Sequence, residues 1–129
     1  MRLLLDTNIL LLFFEERLDR LDRARGDALN DAAADLHASV LSLWEIAIKY
    51  RLGKLPLRPP LRELPGLLER MGLALLDIKA PHVLAEVESL PPTRDPFDRL
   101  LLSQCLVENL RLVTLDRALA AHPLAWRPD

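Results

Sequence analysis

The sequence has only one cysteine, Cys105, and few aromatic residues. A single cysteine excludes an internal disulfide bond and a zinc site built from cysteines. We expect Cys105 to be a small, buried apolar side chain. Aromatic residues make up 5% of the chain, which excludes a ladder of rings for stacking successive nucleic-acid bases. Trp44, Phe97 and Trp126 are therefore expected to belong to the core.

The sequence also lacks an excess of positive charge. It has 17 lysines and arginines against 19 aspartates and glutamates, a formal net charge of -2 and an isoelectric point of about 5.9. A protein that binds nucleic acid by bulk charge is strongly basic. Any nucleic-acid role would therefore need a local arginine cluster, or metal ions that offset a patch of acids.

No stretch of the chain is long and apolar enough for a membrane. A transmembrane helix needs about 20 consecutive apolar residues, and no uncharged span approaches that length. The apolar run after Arg2 is interrupted by Asp6 and Asn8, so it does not have the form of a signal peptide. We expect a soluble, cytoplasmic protein with no membrane partner.

The 129-residue chain contains short apolar runs that alternate with helical patterns. This alternation predicts a parallel sheet covered by helices on both faces, and continuous apolar runs are typical of buried parallel strands. We predict a single domain over residues 1–129, with an α/β fold of three layers and a short parallel sheet of about four or five strands. The predicted strands are 3–5, 36–39, 73–78 and 112–114, with an edge strand at 124–126.

The predicted helices are 7–14, 28–34, 43–52, 61–71, 81–90, 96–110 and a short one after Asp116. The charge-dense segment Glu15–Asp27 is typical of a solvated helical face, although its arginines could instead meet phosphates or an acidic partner. Ser42 has the character of an N-cap, with Glu45 three residues on as the return arm of a capping box. Gly53 then ends that helix.

Two acids follow predicted strands: Asp6 follows the first and Asp116 the fourth. The carboxyl ends of parallel strands meet at one edge of a sheet, and open α/β sheets bind ligands there. Each acid has an alternative role, because aspartate is also a good helix N-cap that accepts a backbone N–H. The sequence leaves both roles open for each residue.

Glu45 lies on the apolar stripe of its predicted helix, with Leu41, Ile48 and Leu52 at helical spacing. A carboxylate that faces a core is unfavourable unless it is paired, protonated or bound to a metal. The capping box is one alternative role for Glu45, and an ion pair with Lys49, four residues on, is another.

Asp98 repeats this pattern, because Leu101, Leu102 and Cys105 follow it on one stripe. Asp95 already accounts for the start of that helix, as an N-cap followed by proline at the first helical position. An acid at Asp98 also suits the helix dipole, but its place on an apolar stripe predicts a further reason for a carboxylate there.

The four acids together predict a site for a divalent cation. Gathered at one sheet edge without neutralisation, they would repel one another and raise their own pKa values. Mg²⁺ or Mn²⁺ prefers oxygen ligands and keeps water molecules that a substrate phosphate can displace. One ion or two would then activate water for attack on phosphorus. The predicted metal ligands and catalytic residues are Asp6, Glu45, Asp98 and Asp116.

Four segments of the chain carry a further signal. They are Leu5-Asp6-Thr7-Asn8, Ser39 to Ile46 with Glu45, Asp95-Pro96-Phe97-Asp98-Arg99-Leu100-Leu101, and Val113-Thr114-Leu115-Asp116. In this order they resemble the signature segments of PIN-domain ribonucleases, above all VapC-type toxins of toxin–antitoxin pairs, and the resemblance covers nearly the whole chain. It implies a metal-dependent endoribonuclease with Mg²⁺ or Mn²⁺ on the four acids, and a hydroxyl of Thr7 or Thr114 near the metal. It also implies a homodimer, an inhibitory antitoxin, and Asp95 as a helix cap.

Residues beside the acids are predicted to orient them or to contact the substrate. Thr7 and Asn8 would orient Asp6. Arg99 and Arg117 each follow an acid and are candidates for contacts with RNA phosphates, or else solvated side chains. RNA cut by such a site would be single-stranded or looped, because a duplex hides its bases.

Two other classes of function stay open. A phosphoryl-transfer domain of the receiver or haloacid-dehalogenase type also has acids at strand ends. The dehalogenase type, however, needs an aspartate where Asn8 stands, and a receiver needs its acceptor on a mid-chain strand. A non-catalytic domain that binds a partner would use the acids only to cap helices. Leucine-rich helices before Glu45 and after Pro60 could form a dimer face or an antitoxin groove.

Overall fold

The computed structural model describes residues 1–85 and 95–128. Four short parallel strands form one sheet with the spatial order β3-β2-β1-β4, so the predicted α/β fold with a parallel sheet is confirmed. The strands are β1 Arg2–Leu5, β2 Asp35–Ser39, β3 Ala74–Leu76 and β4 Arg111–Val113. The α-helices of the described residues are α1 Thr7–Phe14, α2 Arg23–Asn30, α3 Val40–Arg51, α4 Leu64–Arg70, α5 Ala80–Leu84, α6 Pro96–Glu108 and α7 Arg117–Ala120. None of these described helices is long and apolar enough to span a bilayer.

β1 lies between β2 and β4 and is covered on both faces. Leu3, Leu4 and Leu5 are fully buried. Alternate side chains of a strand point to opposite faces, and here Leu3 and Leu5 pack in one core cluster while Leu4 packs in the other. A strand buried in this way requires a layer on each side of the sheet. The run of three leucines at the start of the sequence is therefore continuous because β1 is buried on both faces of the sheet.

The charge-dense segment is only partly a solvated face. α2 begins inside it after the cap Asp22, whose side chain accepts a backbone N–H of the first turn at 3.2 Å. Ala28 and Leu29 of α2 are buried against the core. The helix predicted over residues 28–34 is wrong beyond Asn30, because the side chain of Asp31 accepts a backbone N–H two residues on, at 2.9 Å, and turns the chain into β2.

α3 follows β2 without a loop, and this moves its cap from the predicted position. Ser39 is the N-cap, and its hydroxyl accepts the backbone N–H of Leu41 at 3.0 Å. Ser42 lies inside the helix and is buried, so the capping box predicted between Ser42 and Glu45 is wrong. The chain leaves the helix as predicted near Gly53, whose φ of 71° is a left-handed conformation that glycine adopts without strain.

The remaining elements differ from prediction mainly in length. β3 is shorter than the strand predicted there, and α4 and α6 lie within the helices predicted for them. The predicted edge strand 124–126 is reduced to a single parallel bridge between Leu112 and Ala125. α5 covers the start of the helix predicted over 81–90 but ends at Leu84, because Ala85 has an extended backbone; the predicted helix is therefore wrong at that residue. The rest of that helix and the loop predicted after it fall in residues 86–94, outside the described residues.

The aromatic residues and the cysteine do not all fill the core as predicted. Cys105 is fully buried, and burial raises the pKa of its thiol above the ordinary value. Phe97 and Trp126 are partly buried against the two core clusters. Trp44 is different: 58% of it is exposed, so its predicted place in the core is wrong.

Candidate functional site

Asp6 and Asp116 lie at the carboxyl edge of the parallel sheet. Asp6 directly follows β1, and its backbone N–H donates to the carbonyl of Val113, the last residue of β4, at 2.9 Å. The strands are parallel neighbours with Leu5 opposite Val113, and Asp116 follows in the turn after β4. The structure therefore brings these two acids to the same edge.

The hydroxyl of Thr114 connects the two acids. It donates to Oδ2 of Asp6 at 2.7 Å and accepts the backbone N–H of Asp116 at 3.1 Å. The other oxygen of Asp6, Oδ1, accepts the backbone N–H of Thr7 at 2.8 Å. Asp6 and Thr114 are both buried, and a buried carboxylate needs such partners. Asp6 is therefore held through both of its oxygens.

Thr7 connects the sheet edge to Glu45 on α3. Its hydroxyl lies 2.8 Å from Oε1 of Glu45 and 3.0 Å from the hydroxyl of Ser42. A hydroxyl has one hydrogen to donate, and a charged acceptor makes the stronger hydrogen bond. Thr7 therefore donates to Glu45 and accepts from Ser42. With Thr7 also bonded to Asp6 through its backbone, hydrogen bonds connect Glu45, Asp6 and Asp116.

The second oxygen of Glu45 accepts a hydrogen bond from Nζ of Lys49 at 2.8 Å. This ion pair is one of the two alternatives that the sequence left open for Glu45. The side chain of Glu45 is 18% exposed, so a cationic partner stabilises its charge. Leu52, which the sequence placed on the same stripe, is exposed, and the buried part of the stripe ends before it.

Asp98 lies in the first turn of α6, half-buried at the head of a buried stripe. Its pKa is raised from an ordinary 3.8 to about 6, first by burial and then by the negative charges of Asp95, Asp6, Asp116 and Glu45. A like charge shifts a pKa in this way only when it lies nearby. The structure thus brings all four predicted acids within electrostatic range of one another.

Asp6 also holds a proton more tightly than an ordinary aspartate. Burial raises its pKa, and the charges of Glu45 and Asp116 act in the same direction. The hydrogen bonds from Thr114 and Thr7 lower the pKa of Asp6 without cancelling the effect of burial. Negative charge is therefore concentrated around Asp6, which is buried, whereas Glu45 and Asp98 are half-buried and Asp116 is exposed.

Asp6, Asp95 and Asp116 also cap helices, as the sequence allowed. Asp6 caps α1, and Asp95 caps α6 by accepting a backbone N–H two residues on at 2.9 Å. Asp116 accepts two backbone N–H groups of α7 at 2.9 and 3.2 Å. A cap uses only some of the lone pairs of a carboxylate. Capping therefore does not prevent Asp6 or Asp116 from binding a cation.

One predicted supporting residue and the two candidates for RNA contact lie at the surface. Asn8, Arg99 and Arg117 are exposed. The two threonines described above hold Asp6, and no hydrogen bond from Asn8 to Asp6 occurs within the described part of the chain. Arg99 and Arg117 each directly follow an acid of the site, so both stay candidates for a substrate contact.

Arg25 of α2 supports the site in a way that the sequence did not indicate. Its Nε donates to the backbone carbonyl of Thr114 at 3.0 Å, and its Nη1 pairs with Asp22 at 2.9 Å. The side chain is 22% exposed. The contact joins residues 89 positions apart, and the segment around Arg25 has only the pattern of a charged helix. No signal in the sequence could have identified it.

The oxygen atoms at this edge are of the kind that Mg²⁺ and Mn²⁺ bind. Both ions prefer carboxylate, carbonyl and water oxygens. Within residues 1–85 and 95–128, no three His, Cys, Asp or Glu side chains converge closely enough to enclose a metal ion. Mg²⁺ usually binds through one or two carboxylates and keeps several waters, so the donor set of this edge still fits it.

The parallel sheet and the helices around it form an α/β domain with acids at the carboxyl edge of the sheet. The family model of the PIN domain matches residues 3–123, and the chain belongs to the PIN domain family. PIN domains are generally metal-dependent nucleases. No curated protein sequence matches this chain.

Replacing Thr114 with valine is expected to weaken both the fold and the candidate site. Valine keeps the shape but removes the hydroxyl, and a buried polar group left without its partner costs about 1–3 kcal/mol. Loss of such a supporting contact lowers metal affinity or activity by about 10–100-fold. Thermal unfolding and Mn²⁺ titration measure the two effects. Thr114→Ser keeps the hydroxyl, so it should retain most of the thermal stability and most of the Mn²⁺ affinity. Equal unfolding temperatures and equal Mn²⁺ affinities in the two variants would contradict a role for that hydroxyl.

Proposed function

We propose that this chain is a metal-dependent endoribonuclease that hydrolyses RNA phosphodiester bonds at the carboxyl edge of its sheet. The proposed catalytic and metal-binding residues are Asp6, Glu45, Asp98 and Asp116. One observation carries the proposal: hydrogen bonds through two threonines link Glu45, Asp6 and Asp116. After burial and the charge of Asp95, the charges of these three acids also raise the pKa of Asp98. Acids gathered around a buried carboxylate such as Asp6 repel one another unless a cation offsets their charge.

The residues of the edge would have separate roles. Bound Mg²⁺ or Mn²⁺ would polarise the phosphodiester and lower the pKa of bound water. Asp6 and Asp98 would hold the ion, because Asp6 is fixed through both oxygens and Asp98 lies within electrostatic range of it. Glu45 would accept the proton of the attacking water, and the Thr7 hydroxyl fixes its carboxylate for this task.

An RNA phosphate would approach acids that repel it, so cationic side chains are needed beside the site. We assign this role to Arg99 and Arg117, which are exposed and directly follow Asp98 and Asp116. Arginine can form two parallel hydrogen bonds to a phosphate. The substrate would be single-stranded or looped RNA, since a duplex hides its bases.

The resemblance of the four segments to VapC-type toxins supports a narrower proposal, that the chain is the toxin of a toxin–antitoxin pair. It would then form a homodimer and bind a small inhibitory antitoxin in the cytoplasm. Leu64 and Leu68, on the helix after Pro60, are buried in the core, so exposed apolar residues such as Leu84 and Val107 are better candidates for such a face. The gene immediately upstream tests this proposal: it should encode a small DNA-binding protein with a disordered tail.

A second candidate is a PIN domain that binds a partner without catalysis. It is favoured by the capping contacts of Asp6 and Asp116 and by the ion pair between Glu45 and Lys49, which give three acids a structural role. Asp98 suits such a role as well, since an acid in the first turn of α6 interacts favourably with the helix dipole. The phosphoryl-transfer alternative has no comparable support, since the chain belongs to the PIN family rather than to receivers or dehalogenases.

Incubation with labelled single-stranded RNA, in millimolar Mg²⁺ or Mn²⁺ and in EDTA, tests the proposal. Cleavage is expected with either ion and should fall to background in EDTA, because water and phosphate lose their activation. Excess Mg²⁺ added afterwards should restore cleavage, which distinguishes metal removal from unfolding. Cleavage at full rate in EDTA would reject metal-dependent hydrolysis. No cleavage under any condition would favour the partner-binding candidate.

A further inference from the structure

Trp44 is exposed beside the proposed site, and its ring contacts the ring of Phe97. It directly precedes Glu45 on α3, and 58% of it is accessible to water. Phe97 directly precedes Asp98 on α6. The centroids of the two rings are 5.5 Å apart, and their planes are tilted by 51°. An aromatic pair therefore joins the two helices at the residues next to two of the acids.

Packing between the helices does not account for the exposure of Trp44. A tryptophan used for packing buries most of its large apolar surface. The buried residues of α3 are Leu41, Ser42 and Ile46, so Trp44 lies outside the packed face of its helix. Phe97 is partly buried against the core and holds one part of the indole, while the rest is open to a ligand.

The charge of the chain favours an uncharged source of RNA affinity in addition to the arginines beside the site. Binding driven by phosphate contacts needs many lysines and arginines, whereas this chain has a net charge of -2 and acids at the site itself. A nucleobase is neutral and has an aromatic face, so these acids do not oppose its stacking on an indole. An exposed tryptophan next to the acids supplies such a surface.

We propose that Trp44 stacks an unpaired base of the RNA substrate beside the scissile phosphate, with Phe97 fixing the ring from α6. The inference rests on the proposed ribonuclease function and gives it a base subsite. Every base has an aromatic face, so the subsite selects unpaired over paired RNA rather than one base over another.

Steady-state cleavage of labelled single-stranded RNA in Mg²⁺ separates stacking from chemistry. Trp44→Leu keeps an apolar contact with Phe97 but removes the stacking face, and it should raise KM by about 5- to 150-fold with little change in kcat. Trp44→Phe keeps an aromatic face and should recover most of the loss. Tyr50→Ala is the matched control, because Tyr50 is an exposed aromatic residue on a different side of α3. A wild-type KM in Trp44→Leu would overturn the subsite, and the exposed indole would then be assigned to contact with a protein partner.

Tryptophan fluorescence tests the subsite without relying on cleavage. The chain has two tryptophans, so Trp126→Phe leaves Trp44 as the only one, and a base stacked on its indole should quench its emission. Stopped-flow mixing with single-stranded RNA in Mg²⁺ is expected to give quenching. A strand of the same length made of abasic nucleotides should give none. Equal quenching by both strands, or none by either, would overturn the inference.

The two measurements distinguish failure of this inference from failure of the proposed function. Quenching by the base-containing strand without any cleavage would support the subsite and reject the ribonuclease. Metal-dependent cleavage without quenching, and with an unchanged KM in Trp44→Leu, would support the ribonuclease and reject the subsite.

Discussion

Replacing Asp6 with asparagine is expected to lower metal-dependent RNA cleavage by at least about 100-fold while the protein stays folded. Loss of a residue that only supports a metal ligand costs about 10–100-fold, and loss of a ligand should cost more. Asparagine has the shape of aspartate but no negative charge with which to hold Mg²⁺ or Mn²⁺. Titration calorimetry with Mn²⁺ should therefore show weaker binding in parallel with the slower cleavage.

The fold should survive because asparagine can replace both hydrogen bonds of Asp6. Its amide oxygen can accept the backbone N–H of Thr7, since asparagine caps helices about as well as aspartate. Its NH₂ group can donate to Thr114, whose hydroxyl can rotate to accept. The change also removes the desolvated charge whose burial raises the pKa of Asp6. In EDTA, thermal unfolding of the variant should therefore occur at or above the wild-type temperature.

Asp35→Asn is the matched control for this change. Asp35 begins β2 at the opposite edge of the same sheet, where its side chain pairs with Arg2 at 3.2 Å and both are about half exposed. Exposed ion pairs contribute about 0–1 kcal/mol to stability, so this variant should fold and cleave RNA at the wild-type rate. If Asp6→Asn also cleaved at that rate, Asp6 would not belong to the catalytic set.

The acidic edge of the sheet was predictable from the sequence because it depends on local patterns. Leu3, Leu4 and Leu5 form an apolar run too short for a helix, which indicates a strand buried on both faces. The parallel order of such strands then places the ends of β1 and β4 side by side. Asp6 and Asp116 lie at one edge as a direct consequence.

The N-cap of α3 and the directions of its side chains were harder to predict, because both depend on the residue at which the helix begins. Ser39 and Ser42 both suit a cap, and the spacing to Glu45 favoured Ser42. β2 continues directly into α3, so the cap falls at Ser39 and Ser42 turns inward to Thr7. Trp44 was expected in the core because the chain has too few aromatic residues for a stacking ladder, but its exposure depends on which face of α3 the other layers cover.

The hydrogen bonds that hold the edge together could not be predicted from one sequence. Thr114 contacts Asp6 across 108 positions, and Arg25 contacts Thr114 across 89. Periodicity and spacing report local structure, whereas these contacts depend on how the layers pack. Thr114 could be named in advance only as a hydroxyl near the acids.

Asp98→Asn is expected to make the protein more stable in EDTA and to remove most of its response to Mn²⁺. Burial, followed by Asp95, Asp6, Asp116 and Glu45, raises the pKa of Asp98 to about 6, so the folded protein disfavours its charged form. The helix dipole at the first turn of α6 favours an acid by about 0.3–1 kcal/mol. The net rise in the pKa indicates that burial and repulsion outweigh the dipole.

The pH dependence of this effect follows from the direction of the shift. A carboxyl group with a raised pKa binds its proton more tightly in the folded than in the unfolded protein. Its contribution to stability is therefore present below its ordinary pKa of 3.8 and is lost as the pH rises through about 6. The raised pKa of Asp6 acts in the same direction. In EDTA, the Tm of Asp98→Asn should exceed that of wild type above about pH 6 and approach it near pH 4.

Mn²⁺ should reverse the order of the two proteins at neutral pH. A ligand that binds only the folded protein at 100 times its Kd adds about 2.7 kcal/mol to the free energy of unfolding, which raises Tm by on the order of 10 °C for a chain of this size. Wild type and Asp35→Asn should show this rise in scanning fluorimetry, because the acids that repel one another all attract the ion. Asp98→Asn has lost one of those charges and should show a much smaller rise. An equal rise in Asp98→Asn would mean that the ion binds without Asp98, and the half-buried acid of α6 would then have no role in metal binding.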